Sequence, residues 1–200
     1  SGIIGDTIEV IESQNTQKYA GTAIQSSAND LPLPDNSAQL LFTDPPYYSA
    51  IPYADLSDFF YVWLKRALFD SLPDLFAYSL APKDQECVAL SHRAAMYRNK
   101  DSLWFETEIG KACQRARTVV KREGIGCFVF ANKETAGWEA MLKGIIDNGW
   151  IVTASWPIDT ERPGRLRAQN SAALASSIHI VCRPRRNKKL SDSVPANDTG

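Results

Sequence analysis

The chain has 200 residues, of which 44% are hydrophobic and 22% charged. That is enough for one domain with a core of its own, without disulfide staples. Lysine and arginine number 22 against 23 aspartate and glutamate, a net charge of −1, which excludes a protein that coats nucleic acid by overall charge alone but leaves room for a local basic patch. No apolar run reaches the roughly 18 residues of a membrane-spanning helix, and SGIIGDTIEV lacks the regions of a signal peptide.

Along the chain, the first eighteen residues have no clear pattern and end in a polar stretch, Ser13 to Lys18, that reads as a loop. Thr22 to Ser26 reads as a short strand. Leu31 to Ala38 (LPLPDNSA) is a turn region by its prolines and its Asp-Asn-Ser. Gln39 to Thr43 (QLLFT) is a short apolar run that suits a buried parallel strand. Leu56, Phe59, Phe60, Trp63, Leu64, Ala67 and Leu68 then repeat at helical spacing, with Pro52 and Pro73 as brackets. Residues 71–101 read as loop with short helical pieces. A second helix begins at Ser102 and carries Ile109, Ala112, Cys113, Ala116 and Val120 on one stripe. Lys121 and Arg122 are expected in its last turn and Gly124 at its stop.

Cys127 to Ala131 (CFVFA) is the next buried strand. A helix with Trp138, Met141, Leu142, Ile145 and Ile146 on one face stops at Gly149. Trp150 to Trp156 and Ser177 to Cys182 are the last strands. The order predicts an α/β fold: a mostly parallel sheet with helices on both faces and an antiparallel edge strand. The cysteines are Cys87, Cys113, Cys127 and Cys182, with no C-x-x-C pair, and the two histidines are isolated. No metal site is expected, and the thiols read as reduced in a cytoplasmic protein, the last three as small core residues.

The chemistry concentrates in Asp44-Pro45-Pro46-Tyr47, at the end of the first apolar strand, where ligands bind in open α/β sheets. The prolines stiffen the turn and remove two backbone donors. Carbonyl oxygens and the Asp44 carboxylate are then acceptors for an amino group, and the Tyr47 ring is a face for a planar base. Together they describe a pocket for an exocyclic amine on a heterocycle.

D-P-P-Y after an apolar strand resembles the catalytic signature of amino-group methyltransferases that use S-adenosylmethionine. The wider stretch from Leu31 to Leu68, with Ser171 to Arg185, resembles the large bacterial and archaeal adenine-specific DNA methylases described as containing a Zn-ribbon. The resemblance covers roughly residues 20–186 and implies a partial Rossmann-like methyltransferase fold. It implies that Asp44 and the Pro45 carbonyl bind the target amine, and that Tyr47 stacks on a flipped base. Tyr48 or Tyr53 would form another wall of that pocket. Ser27 and the Ala28 backbone stand where the family's loop meets the cofactor's adenine, though related enzymes carry an acid at the Ser27 position.

The family's glycine-rich loop F-x-G-x-G is missing, and so are the acidic end of the second strand and the zinc ribbon. Gly124-Ile125-Gly126 precedes a strand instead of following one. The expectation is therefore the C-terminal half of a methyltransferase domain over residues 21–183. Residues 1–20 would belong to a preceding element, and 184–200 would form a polar disordered tail or linker. The partners expected are DNA and the missing N-terminal half, on the same polypeptide or on a partner subunit. As an isolated fragment the chain is expected to be inactive.

Between Asp159 and Lys189 stand eight basic and two acidic residues. In that stretch, Arg162, Arg165 and Arg167 are candidates for gripping phosphates beside the base pocket. His92 and Arg93 are further candidates to approach nucleic acid. The readings that compete with adenine N6 in DNA are cytosine N4, a guanine or adenine amine in RNA, and a non-catalytic nucleic-acid-binding fragment.

Overall fold

The structure, a computed structural model, describes residues 2–14, 19, 21–49, 51–159 and 176–185. In chain order the elements are α1 (Ile3–Gln14), β1 (Ala38–Thr43), α2 (Tyr53–Leu68), α3 (Ser102–Val119), β2 (Val120–Phe130), α4 (Thr135–Asp147), β3 (Trp150–Asp159) and β4 (Ser176–Pro184). Two 3₁₀ turns, Pro73–Phe76 and Ala95–Tyr97, interrupt the long loop between α2 and α3.

The four strands form one sheet in the order β1-β2-β4-β3. β1 and β2 are parallel, and β4 runs antiparallel to both β2 and β3. Three strands thus point one way and one points back. The antiparallel strand lies one place in from the edge, and β3 is the edge itself. The reason is topological: α4 carries the chain from β2 past one strand position to β3, and the returning β4 fills that gap.

Side chains from α3 (Phe105, Ile109, Cys113, Ala116) and α4 (Ala140, Met141, Ile145) meet Phe128, Phe130, Trp150, Ile180 and Cys182 of the sheet in one buried cluster. Each large side chain buried there is worth about 1.5–3 kcal/mol, so stability concentrates in this layer. Trp150 anchors it, with its indole N–H donating to the Cys113 carbonyl at 2.9 Å. Asp101 caps α3 by accepting the Trp104 N–H at 2.8 Å.

Several expectations change. Both α3 and α4 pack on one face of the sheet. The opposite face leaves Leu40, Phe42, Ile151, Trp156 and Ile158 exposed. No strand forms over Thr22 to Ser26, which is irregular chain. α1 runs through Ser13 and Gln14, where a loop was expected, and buries no residue.

The helix α3 ends at Val119, so Lys121, Arg122 and Gly124 belong to β2 and not to a helix end. The Val119-Val120 pair favours the switch to extended backbone, and Arg117 becomes the basic residue of the last turn. Gly149, with φ +87°, does end the turn after α4. Cys113, Cys127 and Cys182 are buried and Cys87 is half-buried, none in a disulfide. Among the described residues no helix is long and apolar enough to cross a membrane.

α2 inverts a simple reading of its amphipathic pattern. Its apolar stripe is exposed, with Phe59 at 67% and Trp63 at 58%. Its polar face holds the following loop instead. Asp58 accepts the Ala81 N–H at 2.8 Å and the Lys83 ammonium at 2.7 Å, which holds the Asp58 carboxyl below its ordinary range. Tyr61 donates to the Tyr78 carbonyl at 2.9 Å.

Candidate functional site

A cavity of about 670 Å³ opens at the C-terminal end of β1. Asp44, Pro45 and Pro46 form one side of it and Gln25 to Asn29 another. Its floor is apolar, with Leu41 and Phe128 from the sheet and Ile109 and Ala112 from α3. Ser27 and Ala28 therefore share one cavity with the strand-end turn, although sixteen or more positions separate them in the chain.

The Asp44 side chain is exposed. Among the described residues neither its carboxylate nor the Pro45 carbonyl accepts a hydrogen bond. The two are unused acceptors on the wall of a cavity. Pro46 is different, because its carbonyl accepts the Tyr48 N–H at 3.1 Å.

The tyrosines behave otherwise. Tyr47 sets its ring edge-on to Phe130, with centroids 5.5 Å apart, and its N–H donates to the Tyr53 hydroxyl at 3.2 Å. Tyr48 turns the chain at φ +50°, a left-handed conformation that costs about 1–2 kcal/mol in a residue with a side chain. It is held there by its ring on Phe105, 5.1 Å between centroids, and by the Ala89 N–H on its carbonyl at 3.1 Å. Tyr47, Tyr48 and Tyr53 brace the turn from behind; none of them lines the cavity. Burial pushes the Tyr53 phenol up, and the nearby Asp44 and Glu86 charges act in the same direction. Arg162, Arg165 and Arg167 lie outside the described residues, and His92 and Arg93 are exposed.

The residues that build the cavity's rim were not singled out by sequence. Asn29 donates to Glu108 of α3 at 2.5 Å, tying the 25–29 loop to that helix. The Arg115 guanidinium donates to the Leu31 carbonyl at 2.9 Å and the Leu33 carbonyl at 2.6 Å, and pairs with Asp35 at 2.7 Å. One arginine thus fastens the whole LPLPD turn to α3. Glu108 left one signal: an acid between Phe105 and Ile109 on the helix's buried side. Arg115 left none, because its partners in the LPLPD turn are two carbonyls and one carboxylate eighty or more positions away.

Cys87 and Cys113 also line the cavity. Burial pushes both thiols up to about 12. At neutral pH they stay protonated, so neither is a thiolate nucleophile, and the Asp44 carboxylate and the Pro45 carbonyl are hydrogen-bond acceptors on the same cavity.

No family model matches this chain, and no curated protein matches it. Among solved structures it is similar to a protein from Thermus thermophilus provisionally assigned as a DNA modification methylase. The identity is 12% over 82% of this chain and 54% of that one, with a TM-score of 0.42. The same protein complexed with S-adenosyl-L-methionine gives 10% identity over 82% and 53%, with a TM-score of 0.41. The cyclase SpnF gives 10% identity over 92% of this chain and 63% of its own, with a TM-score of 0.40. The chain spans about half the length of the methylase it matches, and at this level the likeness does not extend to activity or residue roles.

Proposed function

We propose that this chain is the catalytic part of an S-adenosylmethionine-dependent methyltransferase acting on the exocyclic amine of a flipped base, N6 of adenine in DNA. The observation that carries the reading is the pair of unused acceptors, the Asp44 carboxylate and the Pro45 carbonyl, on a cavity shared with the 25–29 loop. Two acceptors held by a stiff turn take the two N–H bonds of an amine and leave its lone pair free to attack. No strong base is needed, since the nitrogen sheds its proton after it has gained the methyl group. Tyr47 packs behind the turn and lines no part of the cavity, so it is assigned to holding the two acceptors toward a base that has left the duplex to be reached.

The cofactor supplies an electrophilic methyl group. The residues present fit its adenosine portion: Ser27, the Ala28 backbone and Asn29 offer polar contacts above the apolar floor of Leu41 and Ile109. They do not fit its amino-acid portion, because the chain has no glycine-rich loop to hold the charged end. That absence, with the exposed apolar sheet face and α2 stripe, supports a second half supplied by the same polypeptide or a partner subunit. Arg162, Arg165 and Arg167 are assigned to DNA phosphates, and four unpaired thiols support a reducing cytoplasmic setting.

A calorimetric titration of S-adenosylmethionine into the chain tests this. The expected result is no micromolar binding by the chain alone, and binding with DNA methylation once the glycine-loop half is present. Micromolar binding by the chain alone would disprove the split of the cofactor site. A folded two-half enzyme that methylates RNA but not DNA would move the substrate assignment. One that transfers no methyl group at all would leave a non-catalytic nucleic-acid-binding role, the reading that the missing glycine loop favours.

A further inference from the structure

Behind the strand-end turn, the loop before α3 is fastened around one acid and one buried lysine. Glu86 Oε1 accepts the Ala54 N–H, in the first turn of α2, at 3.0 Å. Its Oε2 accepts the Tyr97 hydroxyl at 3.4 Å. The helix has no cap of its own, since Pro52 stands at its N-cap without a side-chain hydrogen bond. A carboxylate brought in from 32 positions away satisfies that N–H and opposes the positive end of the helix dipole.

Lys100 fixes where Glu86 stands. It is 4% exposed, and its ammonium donates to the carbonyls of Asp84 at 2.7 Å and Glu86 at 2.5 Å. It also lies over the Trp104 ring, 4.7 Å from the centroid, and the Trp104 indole N–H donates to the same Glu86 carbonyl at 3.3 Å. Charge-assisted bonds of this kind hold main chain tightly, and Trp104 joins them to α3, part of the packed layer.

Tyr53 is the neighbour of Ala54. Its hydroxyl accepts the Tyr47 N–H, and its ring packs on the small buried cluster of Val88, Leu90 and Tyr97. The Ala89 N–H meanwhile holds the Tyr48 carbonyl. A continuous path therefore runs from Lys100 through Glu86, the first turn of α2 and Tyr53 to Tyr47, three residues from Asp44.

We propose that Glu86, posted on Lys100, is the positioning residue of the Asp44–Tyr47 turn: it seats the first turn of α2 so that the Tyr53 hydroxyl fixes Tyr47, and with it the aim of the Asp44 and Pro45 acceptors. Glu86 does not itself line the cavity, whereas its neighbours Gln85 and Cys87 do, so it acts through the turn. The catalytic consequence rests on the methyltransferase reading; the structural link does not.

The test measures amide hydrogen exchange and methyl transfer in wild type, Glu86→Ala, Glu86→Gln and Tyr53→Phe. Exchange is read in this chain, and transfer with the glycine-loop half supplied. Glu86→Ala is expected to raise exchange at Tyr47 and Ala54 while the β2 amides stay protected. It is expected to lower kcat about 10- to 100-fold, the penalty of a small misplacement, with KM for DNA and cofactor unchanged. Glu86→Gln keeps an acceptor for the Ala54 N–H and is expected to restore most of both. Tyr53→Phe removes one hydroxyl and is expected to reproduce the Tyr47 and kcat effects with Ala54 still protected, which guards against misfolding of the alanine variant.

Unchanged Tyr47 exchange in both Glu86→Ala and Tyr53→Phe overturns the proposal, whatever the activity. Raised exchange with unchanged kcat overturns it too. A wild type that transfers no methyl group removes the functional reading instead, and the exchange data still decide whether Glu86 and Tyr53 hold the turn.

Discussion

Asp44 is a residue at which the proposed chemistry and folding stability are expected to separate. Its carboxylate is exposed and accepts no hydrogen bond among the described residues, so Asp44→Asn is expected to change folding stability by no more than about 0.5 kcal/mol. Methyl transfer is expected to fall by about 10²–10³-fold, the scale for losing one preorganised polar contact. Urea unfolding and kcat/KM on the same preparation check both numbers. The buried thiols predict an alkaline weakness. Cys87, Cys113 and Cys182 are pushed up to about 12 by burial, against about 8.5 in an unfolded chain. Their contribution is full below the unfolded value. Stability is lost as pH rises from there through the folded value, because the unfolded state releases protons first. Tyr53 and Tyr97, also raised by burial, add the same sign, and Lys100, lowered by burial, opposes it. A urea midpoint that holds level from about pH 8 to 11 would contradict this balance.

At the scale of elements, close packing between β2 and β3 makes a sharper prediction. A Cβ on Gly126 would stand 2.7 Å from Trp150 Cζ3 and 3.2 Å from Phe128 Cε2. Trp150 cannot retreat, since its indole is bonded to Cys113 and fully buried. Gly126→Ala is expected to destabilise by about 1–3 kcal/mol, the range for overpacking a core, measurable as a lower urea midpoint with an unchanged slope. The reading of Gly124 as a helix stop failed for a related reason. Glycine marks both helix ends and close approaches of backbone, and only the partner strand distinguishes them. α2 and α4 were legible because their apolar residues repeat at a helix period over several turns, and β1 because a short apolar run stops at Asp44-Pro45-Pro46. Thr22 to Ser26 had the composition of a strand but has no partner among the described residues, and a strand exists only in pairing.

For the whole molecule, two apolar surfaces stand out: the stripe of α2, including Phe59, Phe60 and Trp63, and the sheet face that carries Leu40, Phe42 and Trp156. Patches of this kind drive association when nothing covers them. The isolated chain is expected to self-associate with rising concentration, and Phe59→Glu with Trp63→Glu is expected to shift it toward monomer in sedimentation velocity. A chain that stays monomeric at high concentration would count against exposed apolar faces. The same surfaces show that a helix period alone does not decide what the apolar face of α2 meets. The pattern announces an apolar face, but whether a neighbour covers it depends on what else is present.

The sequence by itself determined β1, α2 and α4 and the acceptor groups that the strand-end turn carries. Hydrophobic period and proline placement act over a few residues, and Asp44-Pro45-Pro46 carries its acceptors in its own covalent structure. Tertiary structure alone decided which surfaces are covered, where the antiparallel strand inserts, and how the turn is held. Glu86 caps a helix 32 positions away, and Arg115 fastens a loop more than eighty positions away through carbonyl groups that every residue possesses. Such contacts leave no mark on local sequence, because backbone acceptors are identical everywhere until the fold brings one within reach of a donor.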